Sequence, residues 1–131
     1  MYRFQGFTEK ANNALNLAVT SAQELGHDYI GSEHLMLGLL KEGSGVAYNV
    51  LNKLGVTAES YEKLIRERIG AGTPTSLSPD AFTPRTKQIL QVAAMAGAQM
   101  HNAYVGTEHI LIAILQDASC YAMRFLKLLG A

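Results

Sequence analysis

Apolar positions between residues 8 and 25 recur at helical spacing: Ala11, Ala14, Leu15, Ala18, Ala22 and Leu25 step by three and four. This predicts one long amphipathic helix, stopped at Gly26. Gly31-Ser32-Glu33 then reads as a turn and N-cap. Leu35, Met36, Leu37, Leu39 and Leu40 predict a short helix to about Lys41, apolar on most sides and therefore buried. Gly43-Ser44-Gly45 breaks it and leaves Ser44 free to cap a third helix carrying Val46, Ala47, Val50, Leu51 and Leu54, ended by Gly55. Thr57 caps a fourth helix with Tyr61, Leu64, Ile65 and Ile69 on the face toward the preceding helices. Residues 70–81, GAGTPTSLSPDA, carry no period and read as a linker. The pattern then restarts. Thr83-Pro84 pairs a capping Thr with Pro at the first helical position. A long helix runs from there to about Met100, a short one from Thr107 to about Gln116, and a last one from about Ser119 to Leu129.

The restart is a duplication. At a fixed offset of 75, residues 7–55 lie over 82–130 without a gap, with 14 identities in 49 positions. Phe7/Phe82, Thr8/Thr83, Tyr29/Tyr104, Gly31/Gly106, Glu33/Glu108 and His34/His109 are among them. A period this long exceeds the 20–50 residues of a solenoid layer. We therefore expect an all-α domain over 1–131, two pseudo-twofold-related helical repeats with seven to eight helices: repeat one at 7–69, linker 70–81, repeat two at 82–131. The second repeat carries no counterpart of the fourth helix. An apolar patch is expected around Leu126 and Leu129 in consequence.

Composition narrows the function classes. Eleven basic and eleven acidic side chains cancel, which disfavours nucleic acid as a partner. No run approaches the roughly 20 apolar residues of a membrane span. A lone cysteine, Cys120, excludes an internal disulfide and suits a reducing, cytoplasmic setting. Adjacent Glu33-His34 and Glu108-His109 point in different directions on a helix and find no third ligand at suitable spacing, so neither metal nor other cofactor is expected. No nucleophile–base pair is evident around Cys120, and no G-x-x-x-x-G-K-[ST] loop occurs, so no catalytic residue is assigned. Met36, Met95, Met100 and Met123 read as core filler.

Thr8 and Thr83 open the long helices. A helix start offers unpaired N–H groups and partial positive charge, which suits an anion. Glu33 and Glu108 each follow their Thr by 25 residues; a carboxylate there suits a bidentate grip on a guanidinium. Lys10 and Arg85 sit two residues past each cap as a possible partner surface. Phe4, Phe7 and Phe82 offer an apolar shoulder, or simply pack as residues before a cap.

Phe7-Thr8-Glu9-Lys10-Ala11, Gly26-His27-Asp28-Tyr29-Ile30-Gly31-Ser32-Glu33-His34 and Glu42-Gly43-Ser44-Gly45-Val46-Ala47, echoed by Phe82-Thr83-Pro84-Arg85 and Tyr104-Val105-Gly106-Thr107-Glu108-His109, resemble the double Clp N-terminal repeat domain, most of all its ClpC branch. The resemblance spans nearly the whole chain. It departs at Met100-His101-Asn102 and at Ala118-Ser119-Cys120, where glycines are lost. It implies a non-catalytic N-terminal domain of a ring-forming AAA+ unfoldase that feeds a ClpP-type peptidase. Its expected partners are adaptor proteins and tagged polypeptides. The resemblance further implies capture of phosphoarginine, with Phe7, Thr8, Glu33, Phe82, Thr83 and Glu108 as the binding residues. The shared spacing is expected to pair Thr8 with Glu33 and Thr83 with Glu108. A stand-alone adaptor or regulator that binds an unfoldase is the alternative.

Overall fold

The computed structural model describes all of residues 1–131 and is all-α. Seven helices run in the order α1 (Glu9–Glu24), α2 (Ser32–Glu42), α3 (Val46–Lys53), α4 (Ala58–Arg68), α5 (Pro84–Gln99), α6 (Thr107–Gln116) and α7 (Tyr121–Leu128), with one 3₁₀ turn at Pro79–Ala81. Thr8 and Thr83 cap α1 and α5 through their hydroxyls, which accept from the Ala11 and Thr86 N–H at 3.1 Å. The apolar α2 is the central helix, with every residue from Ser32 to Leu40 buried and α1, α3, α4, α5, α6 and α7 packed around it. Gly38 sets the α1–α2 crossing. A Cβ there would lie 2.2 Å from the Ala14 carbonyl, so only glycine permits so close a contact. Thirty buried residues from both repeats form one continuous core.

The repeats are joined by two short backbone bridges related by the 75-residue offset. The Thr8 N–H donates to the Val105 carbonyl (2.9 Å) and the Val105 N–H to the Gly6 carbonyl (2.8 Å). In the mate, the Thr83 N–H donates to Ile30 (3.1 Å) and the Ile30 N–H to Ala81 (2.9 Å). Each long helix therefore starts beside the short helix of the opposite repeat.

Capping is also exchanged between repeats. Neither Ser44 nor Ser119 caps its helix. The N-cap positions are Gly45 and Cys120, neither making a side-chain cap bond. Instead Thr107 Oγ1 accepts from the Ala47 N–H (3.3 Å) at α3, and Ser32 Oγ accepts from the Ala122 N–H (3.0 Å) at α7. Ser32 and Thr107 are thus the first helical residues of α2 and α6, whose caps are Gly31 and Gly106. There the His34 and His109 rings take over, each Nδ1 accepting the cap N–H at 2.8 Å.

That bond fixes the histidine tautomers. With His34 Nδ1 an acceptor, its Nε2–H donates to His27 Nδ1 (2.7 Å), and His27 Nε2–H donates to the Gly70 carbonyl (2.8 Å). Burial, and secondarily the neighbouring His27, pushes the His34 pKa down to about 3. In the second repeat Asn102 replaces His27 and accepts from His109 Nε2–H through Oδ1 at 2.9 Å. His101 takes the left-handed backbone position (φ 59°) held by Gly26 (φ 70°) in the first repeat. Lacking a counterpart of Gly43 (φ 78°) at its end, α6 stops one residue earlier than α2 in the repeat alignment. Met36 is in the core as expected, but Met95 and Met100 are exposed.

The fourth helix does not serve the first repeat alone. It packs on α2 and on α7. Buried Tyr61 donates its hydroxyl to the Ala122 carbonyl (3.0 Å) and meets the Phe125 ring edge-on at 6.0 Å. Leu126 is only 4% exposed and Leu129 packs partly buried against the core, so the patch expected around these two residues does not form. The uncovered stripe lies on α3, where Val46, Val50 and Leu54 are all exposed. These are the repeat mates of Tyr121, Phe125 and Leu129. α3 packs on α2 and α6 but has no helix over its outer face, and a helix with one face bare opens more readily than one covered on both. Amide exchange in α3 should therefore be faster than in α7, the reverse of the order that the repeat count suggests; slower exchange in α3 would show that α4 does not protect α7.

Acid should expose the role of His34. Unfolded chains protonate this ring below about pH 6.5, while the fold holds it neutral to about pH 3. The unfolded state then binds the extra proton, so stability is present above pH 6.5 and falls as pH drops toward 3. We expect a loss on the order of 5 kcal/mol across that window. Denaturant midpoints at several pH values should show a shallower acid dependence for His34→Gln than for the wild type.

Candidate functional site

The exchanged bridges build two mated clefts at the seam between repeats. One is lined by Thr83, Arg85, Gly31, Ser32, Glu33, Tyr29, Ser119, Tyr121 and Arg124, and encloses about 280 Å³. The other, about 430 Å³, is lined by Thr8, Glu9, Lys10, Gly106, Thr107, Glu108, Ser44, Gly45, Val46 and Asn49. Eight positions in each cleft are repeat mates: Thr83/Thr8, Arg85/Lys10, Gly31/Gly106, Ser32/Thr107, Glu33/Glu108 and Ser119/Ser44, together with Tyr121/Val46 and Arg124/Asn49, where the residue type changes. In each cleft three helix N-termini converge, those of α5, α2 and α7 in the first and of α1, α6 and α3 in the second. First-turn N–H groups lack intrahelical acceptors and carry partial positive charge, so three together suit an anion.

The expected pairing is thereby corrected. Thr83 shares its cleft with Glu33, and Thr8 with Glu108. Equal spacing along the chain is compatible with either arrangement, and the backbone bridges between repeats select the crossed one.

A glycine admits each carboxylate. A Cβ on Gly31 would lie 2.4 Å from Glu33 Oε1, and one on Gly106 would collide with Glu108 Oε1. The glutamates fold back over these cap residues. Glu33 is fully buried; Tyr29 donates its hydroxyl to Oε2 at 2.8 Å, while Oε1 has no partner. Burial raises the Glu33 pKa above the ordinary carboxylate value, against the lowering effects of its own backbone N–H, Tyr29 and His27. Burial, followed by the Glu33 charge, raises that of Tyr29. Tyr29 is held in place by its ring, stacked parallel on His27 at 5.5 Å and edge-on to His34 at 5.1 Å. The second cleft is more open. Glu108 is half-buried and Tyr104, the mate of Tyr29, is 61% exposed.

The remaining sequence candidates divide. Lys10 is exposed, and its Nζ donates to the Ser44 carbonyl at 3.4 Å. Arg85 is half-exposed and pairs with Asp117 at 3.3 Å. At the position matching Asp117, Glu42 is desolvated, yet the Ser44 hydroxyl, the Ser44 and Gly45 N–H groups and Lys10 hold its pKa below the usual range. Phe82 is buried, Phe7 is partly buried in its backbone bridge, and Phe4 packs against Phe82 at 6.1 Å. Phe82 belongs to the core and Phe4 and Phe7 pack against it; none of the three lines either cleft. Sequence reasoning missed Tyr29, Tyr121 and Arg124. The Tyr29/Tyr104 identity was a signal for the first; Tyr121 and Arg124 face Val46 and Asn49 in the repeat alignment, so repetition gave none. No group of three or more His, Cys, Asp or Glu residues is placed to hold a metal ion, and no helix is long and apolar enough to cross a membrane.

Comparison with known proteins agrees with this architecture. A family model, the Clp repeat (R) N-terminal domain, matches residues 6–129. The chain is 39% identical over 127 residues to the negative regulator of genetic competence ClpC/MecB of Bacillus subtilis (strain 168), covering 97% of this chain and 16% of that protein. It is 36% identical over 128 residues to the chloroplastic chaperone protein ClpC1 of Oryza sativa subsp. japonica, covering 98% of this chain and 14% of that protein. The chain thus spans about a sixth or less of these relatives' length. The crystal structure of the N-terminal domain of the ClpD chaperone from Arabidopsis thaliana superposes with a TM-score of 0.80 at 30% identity, covering 98% of this chain and 90% of that one. Two helical repeats locked together by exchanged bridges, with a sequence match over nearly the whole length, establish that this chain belongs to the Clp repeat N-terminal domain family.

Proposed function

We propose that this domain is a non-catalytic receptor for adaptors and tagged polypeptides on a Clp-type AAA+ unfoldase of the cytoplasm, and that each cleft accepts a phosphoarginine side chain. In this reading the parent ring and its ClpP-type peptidase carry out unfolding and proteolysis. The observation that carries it is the makeup of the clefts: three helix N-termini converge beside the first-turn glutamate of a short helix, twice. Phosphoarginine is a planar guanidinium joined to a phosphoryl group. The N-termini suit the phosphoryl oxygens and the carboxylate suits the guanidinium. The unpartnered Oε1 of Glu33 supports the match, because a guanidinium N–H supplies the donor that this buried oxygen lacks. Phosphoserine offers no such donor.

Calorimetry with free phosphoarginine tests the reading and the crossed pairing together. Two sites per chain are expected. Losing a charge-assisted contact costs about 1.5–3 kcal/mol, so Glu108→Ala should weaken one site about ten- to hundredfold. Thr8→Ala with Glu108→Ala should impair one site and spare the other, whereas Thr8→Ala with Glu33→Ala should impair both. Absence of phosphoarginine binding overturns the reading; a single affected site in the second double variant overturns the pairing.

A further inference from the structure

The two clefts are mates in backbone and opposites in charge. At the α7 wall the first cleft presents Arg124 and Tyr121; the matching α3 wall of the second presents Asn49 and Val46. At the first helical position the first has Pro84 and the second Glu9. Arg85 and Lys10 occupy equivalent places, and their nearby acids, Asp117 and Glu42, are also mates. The first cleft therefore sets two guanidinium groups against one lining carboxylate, and that one is buried and bonded to Tyr29. In the second, a single ammonium stands against two lining carboxylates, Glu9 and Glu108. Pro84 does remove one N–H donor from the first cleft. Arg124 more than replaces it with a forked donor set, and its guanidinium lies 5.4 Å from the centroid of the Tyr121 ring. Stacking on an aromatic face limits the rotamers of an arginine and leaves its N–H edge free for an oxyanion. The fully buried Glu33 Oε1, which has no partner, leaves the same cleft short of one hydrogen-bond donor.

We propose that the clefts divide recognition: the Thr83 cleft is the dominant phosphoryl site, with Arg124 its specificity-determining residue, while the Thr8 cleft takes a phosphoryl group only when a guanidinium accompanies it. This rests on the phosphoarginine reading for the second cleft but not for the first. In the first cleft an oxyanion meets three helix N-termini, Arg124 and the Asp117-paired Arg85, and the glutamate is withdrawn. In the second, Glu9 and Glu108 repel a bare dianion, and only a ligand carrying its own cation offsets them.

Amide chemical shifts of the domain, titrated separately with inorganic phosphate and with phosphoarginine, decide it. Inorganic phosphate should perturb Ser32, Glu33, Arg85 and Thr86 at concentrations at least about tenfold below those that move Lys10, Ala11, Thr107 and Glu108. Arg124→Asn should abolish that difference by weakening the first cleft about tenfold, the cost of one charge-assisted contact. Asn49→Arg, a surface change on the other repeat, should strengthen phosphate binding at the second cleft. Both positions are exposed, so neither change threatens the fold. Equal phosphate affinities in the wild type, or an unchanged ranking in Arg124→Asn, overturns the proposal. Phosphoarginine that binds no tighter than phosphate at both clefts overturns the guanidinium reading and leaves the ranking at the Thr83 cleft standing.

Discussion

Four backbone hydrogen bonds between the repeats position everything else in this domain. They join the strand-like residues before each long helix to those before the short helix of the opposite repeat. Once they form, the starts of α1 and α6 lie side by side, as do those of α5 and α2. The hydroxyls of Ser32 and Thr107 are then within reach of α7 and α3, which bring no capping side chain of their own. A helix start left without a cap costs about 1 kcal/mol, so the exchange of caps ties the stability of each repeat to the presence of the other. The single core that runs through both repeats is the hydrophobic counterpart of the same dependence.

Local structure was largely legible in the sequence. Helical spacing, the Thr-Pro start and the terminating glycines located all seven helices within one or two residues, because those signals act through the backbone of the segment that carries them. Thr8, Thr83, Glu33 and Glu108 were legible as site candidates because duplication selects positions used twice. Their pairing was not. A 25-residue interval within each repeat is the same whether the sites form within repeats or across them, and only a contact between repeats distinguishes the two. Assigning Ser44 as a cap failed for the same reason: its neighbour Gly45 holds the cap position, and the hydroxyl comes from Thr107 some sixty residues away. The position of α4 was hidden as well. An amphipathic pattern shows that Tyr61 and Ile65 are buried, but not that α7 buries them.

The repeats have diverged where the loop after the long helix meets the cleft. In the first, Gly26 and His27 allow a chain of hydrogen bonds from the Gly31 N–H through both histidines to Gly70. The His27 ring also gives Tyr29 a surface to stack on, and Tyr29 holds Glu33 down. In the second, Asn102 satisfies His109 but offers no ring, so Tyr104 stands in solvent and Glu108 is partly open. The change from histidine to asparagine thus removes the ring on which Tyr29 stacks, and with it one of the contacts that keep Glu33 covered.

This arrangement also explains why the clefts sit at the seam rather than within a repeat. A helix N-terminus is a weak anion site in water, where its partial charge is screened. Three N-termini become a strong one only if their first turns converge, and a helix hairpin folded on its short loop cannot converge three starts, because successive antiparallel helices begin at opposite ends. Crossing two repeats supplies the missing start from the other copy. The pseudo-twofold axis then guarantees a second cleft of the same backbone shape. With the backbone geometry fixed by the bridges, side chains such as Arg124 and Asn49 are free to give the two clefts different charges without disturbing either the core or each other.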